Sequence, residues 1–170
     1  MSDASPEYRA PAETRIGHVH LKVSELERAV QFYGGVLGLD LTQLYGRGAA
    51  FLSAGGYHHQ IGLNTWESQG GSPPPAGTTG LYHLAILYPD RRSLAAAVLQ
   101  VLNAGIPLEG ASDHGVSEAV YLRDPDGNGV ELYHDRPPEL WPRGPGGHLE
   151  MGTHPLDLGS LLAEVAEAGG

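Results

Sequence analysis

The chain has 170 residues, 41% hydrophobic and 18% charged, enough to bury a core in one domain or two small ones rather than stay disordered. Twenty acidic against ten basic residues leave a net charge of −10, which argues against nucleic acid as a partner, and the absence of cysteine excludes disulfide frameworks, cysteine–zinc sites, iron–sulfur clusters and thiol catalysis. No apolar run reaches the roughly 18 residues of a membrane span, and residues 1–14 lack the apolar centre of a signal peptide, so no membrane partner and a cytoplasmic location are expected.

Residues 1–14 are polar and proline-containing, and are expected to form a flexible tail. Over 16–23 the pattern alternates, with His18, His20 and Lys22 on one face and Val19, Leu21 and Val23 on the other, which predicts a strand. A helix over 24–38 follows: Ser24 and Glu27 form a capping box, Leu26, Ala29, Val30, Tyr33 and Leu37 form an apolar face, and Gly38 ends it. Short strands are expected at 39–44, 48–53 and 58–66. The Gly/Pro/Ser-rich stretch 67–79 is the best internal boundary.

The pattern then repeats. A strand at 81–88 precedes a helix capped by Asp90, with Leu94, Ala97, Val98, Val101 and Leu102 on its apolar side and a stop at Ala104-Gly105. Strands follow at 106–110, 118–123 and 130–134, the last two joined by the hairpin signal DPDGNG at 124–129. The fold class is therefore α+β: two βαβββ repeats, about 15–66 and 80–136, each too small to close a core alone. Side by side they would build one half-closed eight-stranded mixed sheet with a shared concave face. Residues 137–170 form a C-terminal extension whose helix, 156–168, is suited to covering the core or a partner subunit.

Nine histidines against one lysine point to metal or proton chemistry. His18 and His83 stand at corresponding points, early in the first strand of each repeat, and Glu131 lies in the last strand of the second. If the first strands of the repeats are neighbours, the three converge as a two-histidine, one-carboxylate triad, whose open positions suit Fe(II) or Mn(II). His20 shares the His18 face and is either a pocket wall or a competing ligand. The run 124–135 also resembles a calcium loop through Asp124, Asp126 and Asn128, but its twelfth place is Asp135 rather than Glu and strands flank it.

The stretch GHVHLKVSELERAVQFYGGVLGL resembles the opening of a vicinal oxygen chelate module, and LRDPDGNGVELY its closing hairpin. That family includes glyoxalase I, fosfomycin-modifying transferases, bleomycin-binding proteins and type I extradiol dioxygenases. The resemblance covers about residues 15–136 and implies His18, His83 and Glu131 as metal ligands. Within the family, the pair His58-His59 matches the extradiol dioxygenases, where the second histidine is an acid/base; this implies a catalytic role for His59, with the choice between His58 and His59 facing the cavity left open. Tyr121, ten residues before Glu131, matches the tyrosine that hydrogen-bonds a catechol oxygen, and His114 is a further pocket donor. The corresponding strand of glyoxalase I usually supplies a carboxylate ligand, and YHHQIGLN has none.

The resemblance thus implies an Fe(II)-dependent, extradiol-type ring-cleaving dioxygenase, with Mn(II) or another divalent metal as the alternative cofactor. Its partners would be a small aromatic diol and O₂, with a second copy of the chain in a homodimer or larger homo-oligomer. The alternatives are another metalloenzyme of the same fold, a glyoxalase-like isomerase or thiol transferase, and a drug-binding resistance protein without catalysis.

Overall fold

The computed structural model describes residues 7–166, and all structural statements below concern these. Residues 7–18 are exposed and form no strand or helix. The first repeat comprises β1 (Val19–Lys22), α1 (Leu26–Val30, continued by wider π-helical turns over Gln31–Val36), β2 (Asp40–Tyr45), β3 (Ala49–Ser53) and β4 (Ile61–Asn64). The second comprises β5 (Leu84–Leu87), α2 (Arg91–Asn103), β6 (Leu108–Asp113), β7 (Ser117–Arg123) and β8 (Gly129–Asp135). The extension adds β9 (His154–Pro155) and α3 (Leu158–Ala166).

The βαβββ order is present twice, and the strands are hydrogen-bonded as two open sheets. The first has the order β1-β4-β3-β2 and the second β5-β8-β7-β6-β9. In each, the first strand of the repeat is an edge strand lying parallel to the last. Alternation then sorts the side chains. Leu21, Val23, Ala50, Leu52, Ile61 and Leu63 of the first sheet share one apolar core with Leu84, Val120, Leu122, Val130 and Leu132 of the second, together with the inner faces of the helices. Leu161 of α3 is fully buried in that core. None of the helices is long and apolar enough to cross a membrane.

The second helix starts as its sequence predicts, the Asp90 carboxylate accepting from the Ser93 N–H at 2.7 Å. The first does not: Glu25 occupies its cap position and no side chain caps it. Ser24 is engaged elsewhere, its N–H and hydroxyl both donating to Asp126 in the β7–β8 turn. Arg28 of α1 reaches the same carboxylate at 2.9 Å. Tyr33, with no exposed surface, donates its hydroxyl to Asp124 at 2.9 Å. The two repeats are therefore locked together through their helical sides.

The buried Asp124 also accepts from the Asp126 and Asn128 N–H groups and from the Asn128 amide. The sequence feature that resembles a calcium loop thus has a structural use, holding the hairpin turn and seating Tyr33.

Candidate active site

His83 lies immediately before β5, where Gly129 allows close approach: a Cβ at 129 would run into the Tyr82 carbonyl. The His83 Nε2 is 2.8 Å from the Glu131 Oε2. Glu131 on β8 is directly opposite Tyr121 on β7, and both point away from the helices. The Tyr121 hydroxyl is 3.3 Å from the other Glu131 oxygen and 2.7 Å from His114 Nε2. The Nδ1 of His114 donates to the Gly152 carbonyl at 2.8 Å, which orients the ring. Burial and the neighbouring Glu131 carboxylate push the Tyr121 phenol up to about 12, so it stays protonated as a hydrogen-bond donor. A cleft of about 240 Å³ opens here, lined by Tyr82, His83, Tyr121 and the Arg123–Glu109 ion pair among others.

The remaining predicted residues sit on the first sheet. His18 is exposed, its ring centroid 4.5 Å from that of His59. His58 and His59 precede β4, whose strand begins only at Ile61, so neighbouring positions need not face opposite ways. Their Nδ1 atoms are 2.7 Å apart. His59 is half-buried against Phe51, while His58 is exposed and stacks on Tyr57. Burial, followed by the proximity of His18, His58 and His20, lowers the His59 pKa, favouring the neutral, proton-accepting imidazole. His20 packs over Gly62, between Phe51 and Trp66, as a wall of this face.

The predicted residues thus fall into two groups. His83, Glu131, Tyr121 and His114 form a hydrogen-bonded chain on the second sheet; His18 and His59 pair on the first. Among the described residues, no three His, Asp or Glu side chains converge to hold a metal ion. Topology accounts for the separation. His18 precedes β1 of the first sheet, whereas His83 precedes β5 and Glu131 lies on β8 of the second, and no strand of one sheet is hydrogen-bonded to a strand of the other. A single chain therefore presents the donors of the expected triad as two partial sets and does not fit a metal by itself.

Sequence reasoning missed the charged cluster on the other side of the second sheet. The buried Glu118 accepts from Arg91 of α2 at 2.7 Å and from Arg136 at 3.2 Å, with His134 Nε2 at 3.3 Å. Arg91 also binds Glu164 of α3 at 2.7 Å. The available signal was an acidic residue at an otherwise apolar position in strand 117–123.

A family model described as the Glyoxalase/Bleomycin resistance protein/Dioxygenase superfamily matches residues 15–132. The chain belongs to this superfamily. Among its members, a catechol-2,3-dioxygenase of Bacillus subtilis is 40% identical over 156 residues, covering 91% of this chain and 53% of that protein. A biphenyl-2,3-diol 1,2-dioxygenase of Rhodococcus globerulus is 37% identical over 125 residues, covering 71% of this chain and 63% of the relative. The chain thus spans between half and two thirds of the length of these superfamily relatives. A glyoxalase/dioxygenase from Nostoc punctiforme superposes with a TM-score of 0.64 at 22% identity, covering 79% of this chain and all of that one, a likeness of fold.

Proposed function

We propose that this superfamily member is a metal-dependent, extradiol-type dioxygenase that opens the ring of a catechol-like aromatic diol with O₂; a site for Fe(II), or alternatively Mn(II), on His18, His83 and Glu131 would need His18 brought to the other two, which a single chain holds apart. The observation that carries the reading is the chain His114–Tyr121–Glu131–His83 beside a cleft of about 240 Å³. That volume lies below the ~300–1,000 Å³ of sites for drug-sized ligands and suits a ligand of about one ring. The similarity to proteins named as diol dioxygenases supports the same reading.

The protein groups have distinct tasks. His59, beside His18 on the first sheet, is the imidazole proposed to accept a proton from the diol. Tyr121 carries a single phenol proton, which His114 Nε2 accepts in the free protein because its Nδ1–H is tied to the Gly152 carbonyl, and which would have to turn to a ring oxygen to hold a bound diol. The absence of Asp or Glu from β4, where glyoxalase I is expected to place a ligand, favours the diol reading over the isomerase.

The test is O₂ uptake by protein with verified Fe(II) content, across a panel of substituted catechols under otherwise anaerobically prepared conditions. A yellow, conjugated ring-opened product with matching O₂ consumption is expected. No uptake with any catechol at full iron content overturns the proposal.

A further inference from the structure

The turn between β6 and β7 carries His114, and the C-terminal extension, which lies beyond the residues 15–132 that match the superfamily, encloses it from two sides. On one side is Pro142. Gly115 takes a left-handed φ of +77°, and a Cβ there would come within 2.9 Å of the Pro142 ring. The extension then doubles back, the Gly144 and Glu150 N–H groups donating to the His148 and Pro142 carbonyls to close a small hairpin. The returning chain grips His114 twice at a single residue. The Gly152 N–H donates to the His114 carbonyl at 3.2 Å, and the Gly152 carbonyl accepts from the His114 ring at 2.8 Å. β9 continues the contact by pairing with Ser112 and Asp113.

A carbonyl oxygen only accepts, so the bond to Gly152 places a proton on His114 Nδ1, and a neutral ring with that proton offers Nε2 as an acceptor. This is the state in which His114 receives the Tyr121 hydroxyl at 2.7 Å. A backbone group outside the two repeats thus decides which ring nitrogen faces the phenol of the cleft.

The extension is anchored on both sides of this contact. Before it, the Trp141 indole N–H donates to the Arg136 carbonyl at 2.7 Å. After it, Leu161 of α3 is fully buried in the core, and Arg91 of α2 reaches the Ser160 carbonyl at 3.1 Å and Glu164 at 2.7 Å. Between these anchors no residue from 143 to 155 is buried, and Met151 is 66% exposed. A segment held mainly by backbone bonds in water opens locally at low cost. The extension is therefore fixed at its ends and able to lift in the middle, where it touches His114.

We propose that residues 142–155 are a positioning strap for the active site. Docked on the β6–β7 turn, the strap holds His114 as the Nδ1–H tautomer with Nε2 on Tyr121. Lifted, it releases the ring, and the phenol loses its fixed partner. Gly152 is the positioning residue through which the strap acts. This rests on reading Tyr121 as a group of the active site, as the proposed function does, but not on the reaction performed there.

Nitrogen-15 spectra of the full chain, free of paramagnetic metal, read the tautomer directly. The His114 signal, assigned by its loss in His114→Gln, should show the proton on Nδ1 alone. In Gly152→Pro the proline ring fills the place of the N–H and cannot stay 3.2 Å from the His114 carbonyl. The strap then lifts, and the ring should give the averaged signal of both tautomers. Leu161 and Arg91 still hold α3, so the circular dichroism should match that of the wild type.

A reciprocal measurement leaves the strap unchanged. If the strap orders the ring, the ring holds the strap by the same factor. Asparagine at 114 keeps an N–H donor in the place of Nδ1, whereas glutamine presents its amide in the place of Nε2. Hydrogen exchange of the Gly152 N–H should therefore be about three- to tenfold faster in His114→Gln than in His114→Asn, the worth of one hydrogen bond.

A wild-type His114 with its proton on Nε2, an unchanged Nδ1–H tautomer in folded Gly152→Pro, or equal Gly152 exchange in the two His114 variants overturns the proposal. If Gly152→Pro does not fold, the exchange comparison decides alone. The proposed reaction fails separately. The expected tautomer and exchange in a protein that takes up no O₂ when iron-loaded retain the strap and remove the dioxygenase reading. O₂ uptake by a protein whose His114 carries its proton on Nε2 does the reverse.

Discussion

Replacing Tyr33 by Phe isolates a single bond between the two repeats. The ring has no exposed surface and packs edge-on against Phe32, with centroids 4.9 Å apart, so the substitution keeps the packing and removes only the hydroxyl. What is lost is one hydrogen bond to a buried carboxylate, worth about 1.5–3 kcal/mol. Asp124 keeps its three other donors, from Asp126 and Asn128, so the carboxylate is not orphaned and the loss should lie near 1.5–2 kcal/mol. At about 2–4 °C per kcal/mol for a chain of this size, the melting temperature should fall by about 3–8 °C. Burial and the adjacent Asp124 raise the Tyr33 pKa far above neutrality, so the hydroxyl remains protonated and the loss should be equal at pH 6 and pH 9. Urea and thermal melts at one fixed protein concentration measure it, with Asp124→Asn and the double variant completing a cycle. A loss under about 0.5 kcal/mol, or additivity of the two changes within about 0.5 kcal/mol, would refute the idea that this bond joins the repeats.

Other outcomes follow from the same contacts. Burial pushes the Glu118 pKa upward, but its bonds to Arg91 and Arg136 outweigh this and hold it below the usual 4.5. Its stabilisation is thus complete above that value and is lost as pH falls through the lower folded pKa; Glu118→Gln should cost about 3–5 kcal/mol at pH 7 and flatten the acid limb of a stability–pH curve. Parallel curves for the two proteins would contradict this. Leu161→Ala, at a fully buried position of α3, should cost about 2–5 kcal/mol in urea unfolding, and a change below 1 kcal/mol would show that the extension is not part of the core. His59→Ala should lower kcat by about 10²–10⁴ with metal content unchanged, and an unaltered rate would remove its acid/base role.

Local signals in the sequence were reliable where the group concerned had no distant competitor. Asp90 caps α2 because nothing else claims its carboxylate, and the alternation of Val19, Leu21 and Val23 predicts the buried side of β1 correctly. The Ser24–Glu27 capping box failed because Asp126, 102 residues away, takes the Ser24 N–H and turns its hydroxyl, whose oxygen accepts from Arg28 instead of from a helix N–H. The π-helical turns at Gln31–Val36 were equally hidden, since their apolar spacing also fits an ordinary helix. The site showed the same division. The opposed pair Tyr121–Glu131 follows from hairpin arithmetic, and repeat equivalence identifies His18 with His83. Equivalence, however, says which positions correspond and not which faces of the two repeats meet. The docking depends on Tyr33, Arg28 and Asp124, residues whose local patterns describe a helix and a turn.

The turn between β7 and β8 works as a spacing gauge. Residues 124–128 set which β8 residue lies opposite Tyr121, and Gly127, at φ +82°, closes the turn at that length. One inserted residue that slipped the pairing would swing Glu131 toward the helices and turn Val130 and Leu132 into the cleft, abolishing the arrangement in a single step. The connection 65–83 sets no strand register, although its Ser68 hydroxyl and Gly70 N–H hold the Val23 and Ser24 carbonyls, and Tyr82 at its end lines the cleft. A change of side chain at Tyr82 would therefore reshape the cleft wall without moving the hairpin that holds the phenol and the carboxylate in register.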